Sequence, residues 1–452
     1  MMDCADPNLR RRRVLIVSPH FPPINAADMH RVRLSLPYYR EFGWEPTVLA
    51  VDGDYVEGTR EPELLETIPD DIPVHRVRAV PARWTRRVGF GALALRAAPY
   101  LYREGVRLLR RQRADLLFFS TTMFPAMALG RLWKRRFGTP LVLDMQDPWV
   151  NDYQQLDPQR PRKHRWARRM HETLEPWTMR AVDGLIAVSE NYHRVLRQRY
   201  PWIPEWACRT LPFGASSADF EVSVRGGRPN RIFDPDDGLC HAVYAGRLGT
   251  DMRLVCRAIC EALAAGLREN PDLFRRVRLH LVGTSYALGS EARPTLLPIA
   301  QAMGLADFVS EHPQRLPYLE VLRLLKAADF LLVPGSDDPA YTASKLYPYI
   351  LARKPLLAVF HRSSSVVEIV RTTEAGEVVA FDSGDSSDDI AIRLQPALRN
   401  LLQRLPFEPQ TNLAAFEPYT AREMTRRQCE LFDLIADRTG PTVPNPELLA
   451  TA

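Results

Sequence analysis

The chain has 452 residues, 46% of them hydrophobic and 25% charged, with a formal net charge of +6. That length exceeds one ordinary core and predicts two domains of about 200 residues each, with the composition of a soluble globular protein. No apolar run reaches the roughly 20 residues of a spanning helix (Val88 to Leu101 comes closest and carries Arg96), and the arginine-rich opening is no signal peptide, so cytoplasmic residence is expected.

Cysteines stand scattered at 4, 208, 240, 256, 260 and 429. Cys256 and Cys260 fall one helical turn apart, but no second pair or histidine cluster accompanies them, so buried thiols are expected rather than a metal site. The bases are nearly all arginine, with lysine only at 134, 163, 326, 345 and 354. Basic clusters at Arg10 to Arg13, Arg83 to Arg113 and Arg160 to Arg169 all lie in the first half. They fit a solvated charged face, or a surface for an anionic membrane or nucleic acid.

In chain order, Val14 to Ser18 reads as a β-branched strand running into the loop Pro19 to Asp28. A helix through Arg31, Leu34 and Tyr38 follows, ended by Gly43, and then a strand from Thr47 to Val51. This is the βαβ opening of an open parallel sheet. Val74 to Val80 is a further strand. Residues 86–113 mix apolar and arginine positions at helical spacing, which suits either a core-packed amphipathic helix or one lying on a membrane surface. Leu116 to Ser120 and Leu141 to Asp144 are strands around a helix at Met127 to Phe137. Asp147 comes just past the second of these, at a strand's C-terminal end, where α/β ligand sites form. Its carboxylate there either orients or deprotonates an acceptor hydroxyl, or anchors its loop.

Leu174 to Val182 is helical, Gly184 to Ser189 a strand, and Ser189 the cap of a helix beginning near Asn191. The stretch Gly226 to Gly238 is rich in Gly, Pro and Asp, and reads as the interdomain linker or a loop soon after it. The strand His241 to Ala245 runs into Gly246-Arg247-Leu248-Gly249, with Arg253 and a helix behind it, a phosphate-cradling arrangement. Leu279 to Thr284 is a strand and loop containing Gly283, and Leu319 to Ala327 a helix. The apolar run Ala328 to Pro334 is a buried parallel strand, followed by a loop at Gly335 to Pro339 that holds Asp337 and Asp338. Ala343 and Ser344 open a helix whose free N–H groups, with Lys345, make an anion site. Pro355 leads into the strand Leu356 to Phe360, and residues 414–437 close the chain as helix.

The segment Ser344-Lys345-Leu346-Tyr347-Pro348-Tyr349-Ile350-Leu351-Ala352-Arg353-Lys354-Pro355-Leu356-Leu357 resembles that of family 4 glycosyltransferases, retaining enzymes of the GT-B fold. In them this helix holds the nucleoside diphosphate and ribose. The family usually has Glu where this chain has Pro348, and another where it has Ala340; Asp337 or Asp338 would then have to meet the ribose. Asp144-Met145-Gln146-Asp147-Pro148-Trp149 is similar to the D-x-R-D-P-W box of one branch, with Gln146 in place of Arg. Pro22-Pro23-Ile24-Asn25-Ala26-Ala27 takes the place of a P-P-x-x-G-G loop, and Gly246-Arg247-Leu248 with Arg253 resembles the motif that grips pyrophosphate.

This resemblance spans residues 14–437. It implies a GT-B fold: two Rossmann-like domains with parallel sheets facing across a cleft, at 1–215 (acceptor) and 216–405 (donor), closing helices at 406–437, and a tail at 438–452. It implies transfer of a hexosyl-type sugar from a nucleoside diphosphate-sugar to a glycan or lipid-linked acceptor, with retention, in cell-surface polysaccharide or glycoconjugate synthesis. Asp147 is the catalytic candidate; Gly246, Arg247, Arg253, Gly283, Asp338, Ser344, Lys345 and Leu346 are the donor-binding ones. Neither a metal nor a cofactor beyond the donor is expected, nor a nucleic-acid partner. In such enzymes the departing phosphate is thought to assist deprotonation of the acceptor. A non-catalytic GT-B scaffold, which would account for Ala340 and Pro348, and a sugar-nucleotide epimerase remain as alternatives. The basic first half would place the protein peripherally at the inner face of the cell membrane.

Overall fold

The computed structural model describes residues 11–85, 91–150, 162–225, 230–285, 292–339, 341 and 343–439. Arg10, Val88, Arg160, Ala340 and the tail beyond residue 439 therefore lie outside the described residues. The chain divides into two compact units, Met1–Gly214 with Ala421–Ala452, and Ala215–Thr420.

The first unit is built on seven parallel strands: β1 Arg12–Val17, β2 Trp44–Val51, β3 Val74–Val77, β4 Leu116–Ser120, β5 Leu141–Met145, β6 Gly184–Ala187 and β7 Cys208–Thr210. Their order is β3-β2-β1-β4-β5-β6-β7. Successive residues of a strand face opposite sides, so β1 sends Leu15 and Val17 into one apolar core and Val14 and Ile16 into the other. The second core is completed from far along the chain. The helix Ala421–Thr439 packs Phe432 edge-on against Trp44, with ring centroids 5.4 Å apart. Its Asp433 takes the Arg12 guanidinium at 2.8 Å.

The helix Leu93–Arg111 settles how the basic segment at 86–113 is used, within its described part. Leu93, Ala97, Leu101, Val106 and Leu109 are buried in the first core. A Cβ on Gly105 would lie 2.1 Å from the Trp133 ring, so helix and core are in direct contact there. Even Arg96 is turned inward, its guanidinium donating to the Val80 carbonyl at 2.8 Å. The apolar stripe that would enter a membrane is thus spent on the core, which is the first of the two readings that the spacing allowed.

The second unit repeats the plan with six parallel strands: β8 Cys240–Ala245, β9 Val277–Val282, β10 Val309–His312, β11 Phe330–Pro334, β12 Leu356–His361 and β13 Glu377–Phe381. Their order is β10-β9-β8-β11-β12-β13, the doubly wound Rossmann arrangement. The helix Ser217–Arg225 already belongs to this unit, where Arg323 donates to the Ser223 carbonyl at 2.9 Å. The described part of the Gly/Pro/Asp-rich stretch therefore lies within the second unit as a loop after its first helix, not as a linker before it. Both sheets reverse their winding at one place, between β1 and β4 and between β8 and β11. Ligands of open α/β sheets gather at the C-terminal ends of the strands beside such a reversal.

Candidate functional site

At the reversal of the second unit, β8 ends in Ala245 and the chain continues through Gly246 and Arg247. Lys345 arrives from the segment after β11. Its ammonium donates to the Tyr244 hydroxyl at 2.6 Å and lies 4.9 Å from the centroid of that ring. The same hydroxyl donates to the Arg247 carbonyl at 2.7 Å. Gly246 gives the lysine head its place: a Cβ there would meet the Lys345 Nζ at 2.5 Å, so the ammonium would have to shift. Burial first, then the charge of Arg247, pushes Lys345 down to about 7; Asp251 pulls the other way, and Arg315 adds a lesser push. A lysine so tuned gains its proton fully only when an anion arrives. Arg247, Gly246 and Lys345 are therefore brought together, as the sequence anticipated.

Arg247 is not idle in the free protein. Its two terminal nitrogens grip the Asp251 carboxylate at 2.7 and 2.8 Å. Asp251 escaped the sequence reading, although its place four residues after Arg247 is a spacing that such pairs use. Arg253 is the exposed first residue of the helix Arg253–Glu269. Gly283 adopts a left-handed φ of 66°, and its N–H donates to the His312 carbonyl at 2.8 Å. The space its missing Cβ would fill is bordered by Arg315 at 3.7 Å, a further cation near the site.

The organising segment differs from expectation at its start. The helix runs Leu346–Leu351, not from Ala343 or Ser344. Pro348 is the reason: a helix begun at Ser344 would need the 348 N–H to reach the Ser344 carbonyl, and proline has none. Instead the Leu346 N–H donates to Ala343 O at 2.9 Å and the Tyr347 N–H to Ser344 O at 3.3 Å, a tight turn. Pro348 then falls in the first turn, where its missing donor costs nothing. Ser344 is exposed and Leu346 fully buried, so Leu346 offers a ligand no side chain. Tyr349 ties the helix to β8, accepting from the Ala245 N–H at 2.6 Å and donating to its carbonyl at 3.1 Å. Asp337 and Asp338 are exposed on the loop after β11, and the Asp337 N–H donates to the Asp251 carbonyl at 2.9 Å.

The reversal of the first unit holds groups of opposite character. Asp28 is buried, and His20 Nδ1 meets its Oδ1 at 2.8 Å. Its Oδ2 accepts the Thr121 hydroxyl at 2.9 Å, the Thr122 N–H at 2.9 Å and the Thr122 hydroxyl at 3.2 Å. Burial would raise this carboxyl, but those donors, His20 foremost, hold it below the usual carboxylate range. One layer deeper, Arg31 Nε donates to Asp144 Oδ2 at 2.7 Å, with both side chains fully buried. Ser120 Oγ also donates to that oxygen at 2.8 Å. Gln146, which stands where the family branch has Arg, donates to Asp144 Oδ2 at 2.8 Å and to the Asp28 carbonyl at 3.0 Å. Arg31 already supplies the positive charge, so a neutral amide suits that position. Asp147 is exposed at the rim, and desolvation by its surroundings together with the Asp28 charge pushes its carboxyl up. His20, Asp28, Arg31 and Asp144 were not singled out as site residues by the sequence reading; Asp28 finds Thr121 93 positions away and Arg31 finds Asp144 113 away. Among the described residues, no three His, Cys, Asp or Glu side chains gather as a metal group, and no helix is long and apolar enough to cross a membrane.

Residues 30–214 match the model of the glycosyl transferase 4-like domain family. Among solved structures, the Anabaena protein Alr3699/HepE in complex with UDP and glucose is 15% identical, with 94% of this chain and 100% of that one covered at a TM-score of 0.55. A glycosyltransferase from Rickettsia africae is 13% identical, with 94% and 98% covered and the same score, 0.55. An E. coli protein described as trehalose-6-phosphate, bound with UDP-2-fluoro glucose, is 12% identical, with 94% and 99% covered at 0.55. No curated protein matches the sequence. At such identities the likeness is one of fold, and the fold is GT-B.

Proposed function

We propose that this chain, a GT-B protein whose residues 30–214 match the glycosyl transferase 4-like domain model, moves a sugar from a nucleoside diphosphate-sugar to a hydroxyl acceptor. The observation that carries this reading is the meeting of Lys345 and Arg247 beside Gly246 at the reversal of the second sheet. A diphosphate gains negative charge as its bond to the sugar breaks, and fixed cations stabilise that charge. Lys345 is the principal contact, because Arg247 must share its guanidinium with Asp251. Arg253, Arg315, Ser344 and the amides near Gly283 would complete the cradle. Asp338 or Asp337 would accept from the ribose hydroxyls in place of the glutamate that Pro348 replaces, since a carboxylate can accept from two neighbouring hydroxyls.

On the first unit, Asp147 would orient the acceptor. Retention at the anomeric carbon, a glycan or lipid-linked acceptor and a role in surface polysaccharide synthesis follow from the family resemblance. So does a reaction without a metal or an additional cofactor. Residence in the cytoplasm, peripheral to an anionic membrane, would rest on arginines alone, because the apolar stripe of Leu93–Arg111 is buried.

One observation favours a second reading, a GT-B scaffold without activity: the Arg247–Asp251 pair already neutralises one of the two cations. Thermal shift with UDP-, GDP- and ADP-sugars separates the two. A donor at 100 times its Kd stabilises by about 2.7 kcal/mol, and a flat response to all of them favours the scaffold.

A further inference from the structure

Lysine is scarce in this chain, standing only at 134, 163, 326, 345 and 354. Lys345 is set apart by what surrounds its amine. Tyr244 spends its hydroxyl proton on the Arg247 carbonyl at 2.7 Å, so toward Lys345 its oxygen only accepts, at 2.6 Å. Burial holds that hydroxyl well above its ordinary titration, so no tyrosinate forms to fix a charge on the lysine. A neutral amine has two hydrogens; one keeps the bond to Tyr244, and the lone pair is left over. Lys345 is partly exposed, and its head lies over Gly246, whose missing side chain leaves the amine room.

Two other lysines show the contrast. The Lys134 ammonium donates to both Asp183 carboxylate oxygens at 2.6 Å and to the Ala181 carbonyl at 2.9 Å. Burial lowers Lys326 as it lowers Lys345, but the largest charge acting on Lys326 is the Glu408 carboxylate, which holds its proton. At Lys345 the largest is the Arg247 guanidinium, which expels it, while Asp251 pulls back and Arg315 adds a lesser push. Near pH 7 about half of Lys345 therefore has a free lone pair, against about one part in 3,000 for a lysine at its ordinary 10.5. An amine desolvated and set beside another cation is an activated nucleophile. A weaker base is also a weaker nucleophile, which cancels about half of that advantage on a logarithmic scale if amines follow thiols. A clear preference survives.

We propose that Lys345 is a site of acylation by acyl phosphates, and that the modification switches off diphosphate binding; the second half rests on the sugar-nucleotide reading above. Arg247 and Arg315 attract the reagent's phosphate, which raises its concentration beside the amine. The Nζ lone pair forms a bond to the acyl carbonyl carbon. The bond from that carbon to the phosphate oxygen breaks, and its electron pair leaves with the phosphate. One Nζ proton passes to the departing phosphate. The amide that remains is uncharged, so a diphosphate meets the site without its principal cation. Donor binding thereby answers to the supply of activated acyl groups.

The test uses the full chain, acetyl phosphate at neutral pH, and mass spectrometry of every lysine over time. Lys345 should be acetylated about tenfold or more faster than any other lysine, and neutral p-nitrophenyl acetate should show a smaller preference. UDP, GDP and ADP are then added singly, and one of them should slow the reaction at Lys345 alone. The chain acetylated at Lys345 should bind that nucleotide about tenfold or more weakly, and Lys345→Gln, the uncharged mimic, should do the same. Acetylation of Lys345 no faster than of Lys354, or an equal preference with both reagents, overturns the proposal and leaves the donor reading untouched. A nucleotide that binds, yet neither slows acetylation nor is weakened by it, overturns the switch. Preferential acetylation in a chain that binds none of the three nucleotides defeats the donor reading and the switch together, while the reactive amine stands.

Discussion

The two sheets of this protein have the same winding and reverse it in the same way, yet the strand ends beside the two reversals carry different chemistry. In the first unit the buried charges there are paired within the protein: Asp28 with His20 and two threonines, Asp144 with Arg31, Ser120 and Gln146. In the second unit Lys345 meets the Tyr244 hydroxyl and ring, and burial with the charge of Arg247 pushes its proton off more than Asp251 holds it. The lesson is that one backbone plan yields a buried network of paired charges or a charge held in suspense, depending on which side chains follow the strands. A paired network positions; a suspended charge binds.

The sharpest way to break the first half of that comparison is Asp144→Ala. Arg31 would be left fully buried with its charge uncompensated, which costs about 3–5 kcal/mol and should appear as a large fall in denaturation midpoint. A variant as stable as the wild type would mean that the two charges are not paired. Next in size is a pH effect on the second half. Lys345 titrates near 7 in the folded chain against an ordinary 10.5, so between these values the unfolded chain holds the proton and the folded chain does not. Stability from this group therefore rises with pH across that window. Binding a diphosphate restores the proton, so UDP affinity should fall about tenfold per pH unit above 7.5. Lys345→Met should flatten the slope; an unchanged slope in that variant would assign it to another group.

Gly105→Ala tests whether the basic helix is committed to the first core. Its new Cβ would collide with Trp133, and about 1–3 kcal/mol of stability should be lost in a chemical denaturation series. A neutral result would return that helix to the surface. The smallest expected effect sharpens the second half. Asp338→Asn or Asp337→Asn should weaken donor binding by about 0.5–1.5 kcal/mol, the range of one hydrogen bond, while Pro348→Glu should be neutral or helpful. If neither aspartate matters, the ribose is met elsewhere.

The architecture was readable because its signals are local. The apolar runs of Val14 to Val17 and Phe330 to Pro334 announce buried parallel strands, and Ser189 does cap its helix, accepting the Asn191 N–H at 3.3 Å. Pro348 alone accounts for the late start of the Leu346–Leu351 helix. The first-unit network was not readable in the same way. Asp28 and Thr121 are 93 positions apart, and Arg31 and Asp144 are 113 apart; only the β1–β4–β5 adjacency brings them together. Lys345 was visible as a cation, but its depressed titration comes from burial and from Arg247, which only the fold brings beside it.

The most direct test of the account is a calorimetric titration of the nucleoside diphosphates UDP, GDP and ADP into the wild type and into Lys345→Ala at neutral pH. One of the three should bind the wild type, and Lys345→Ala should weaken it by about 1.5–3 kcal/mol, as expected for a hydrogen bond to a charged group. No heat from any of the three, or equal affinity in the variant, would contradict the claim that the second sheet's reversal is where a diphosphate is held.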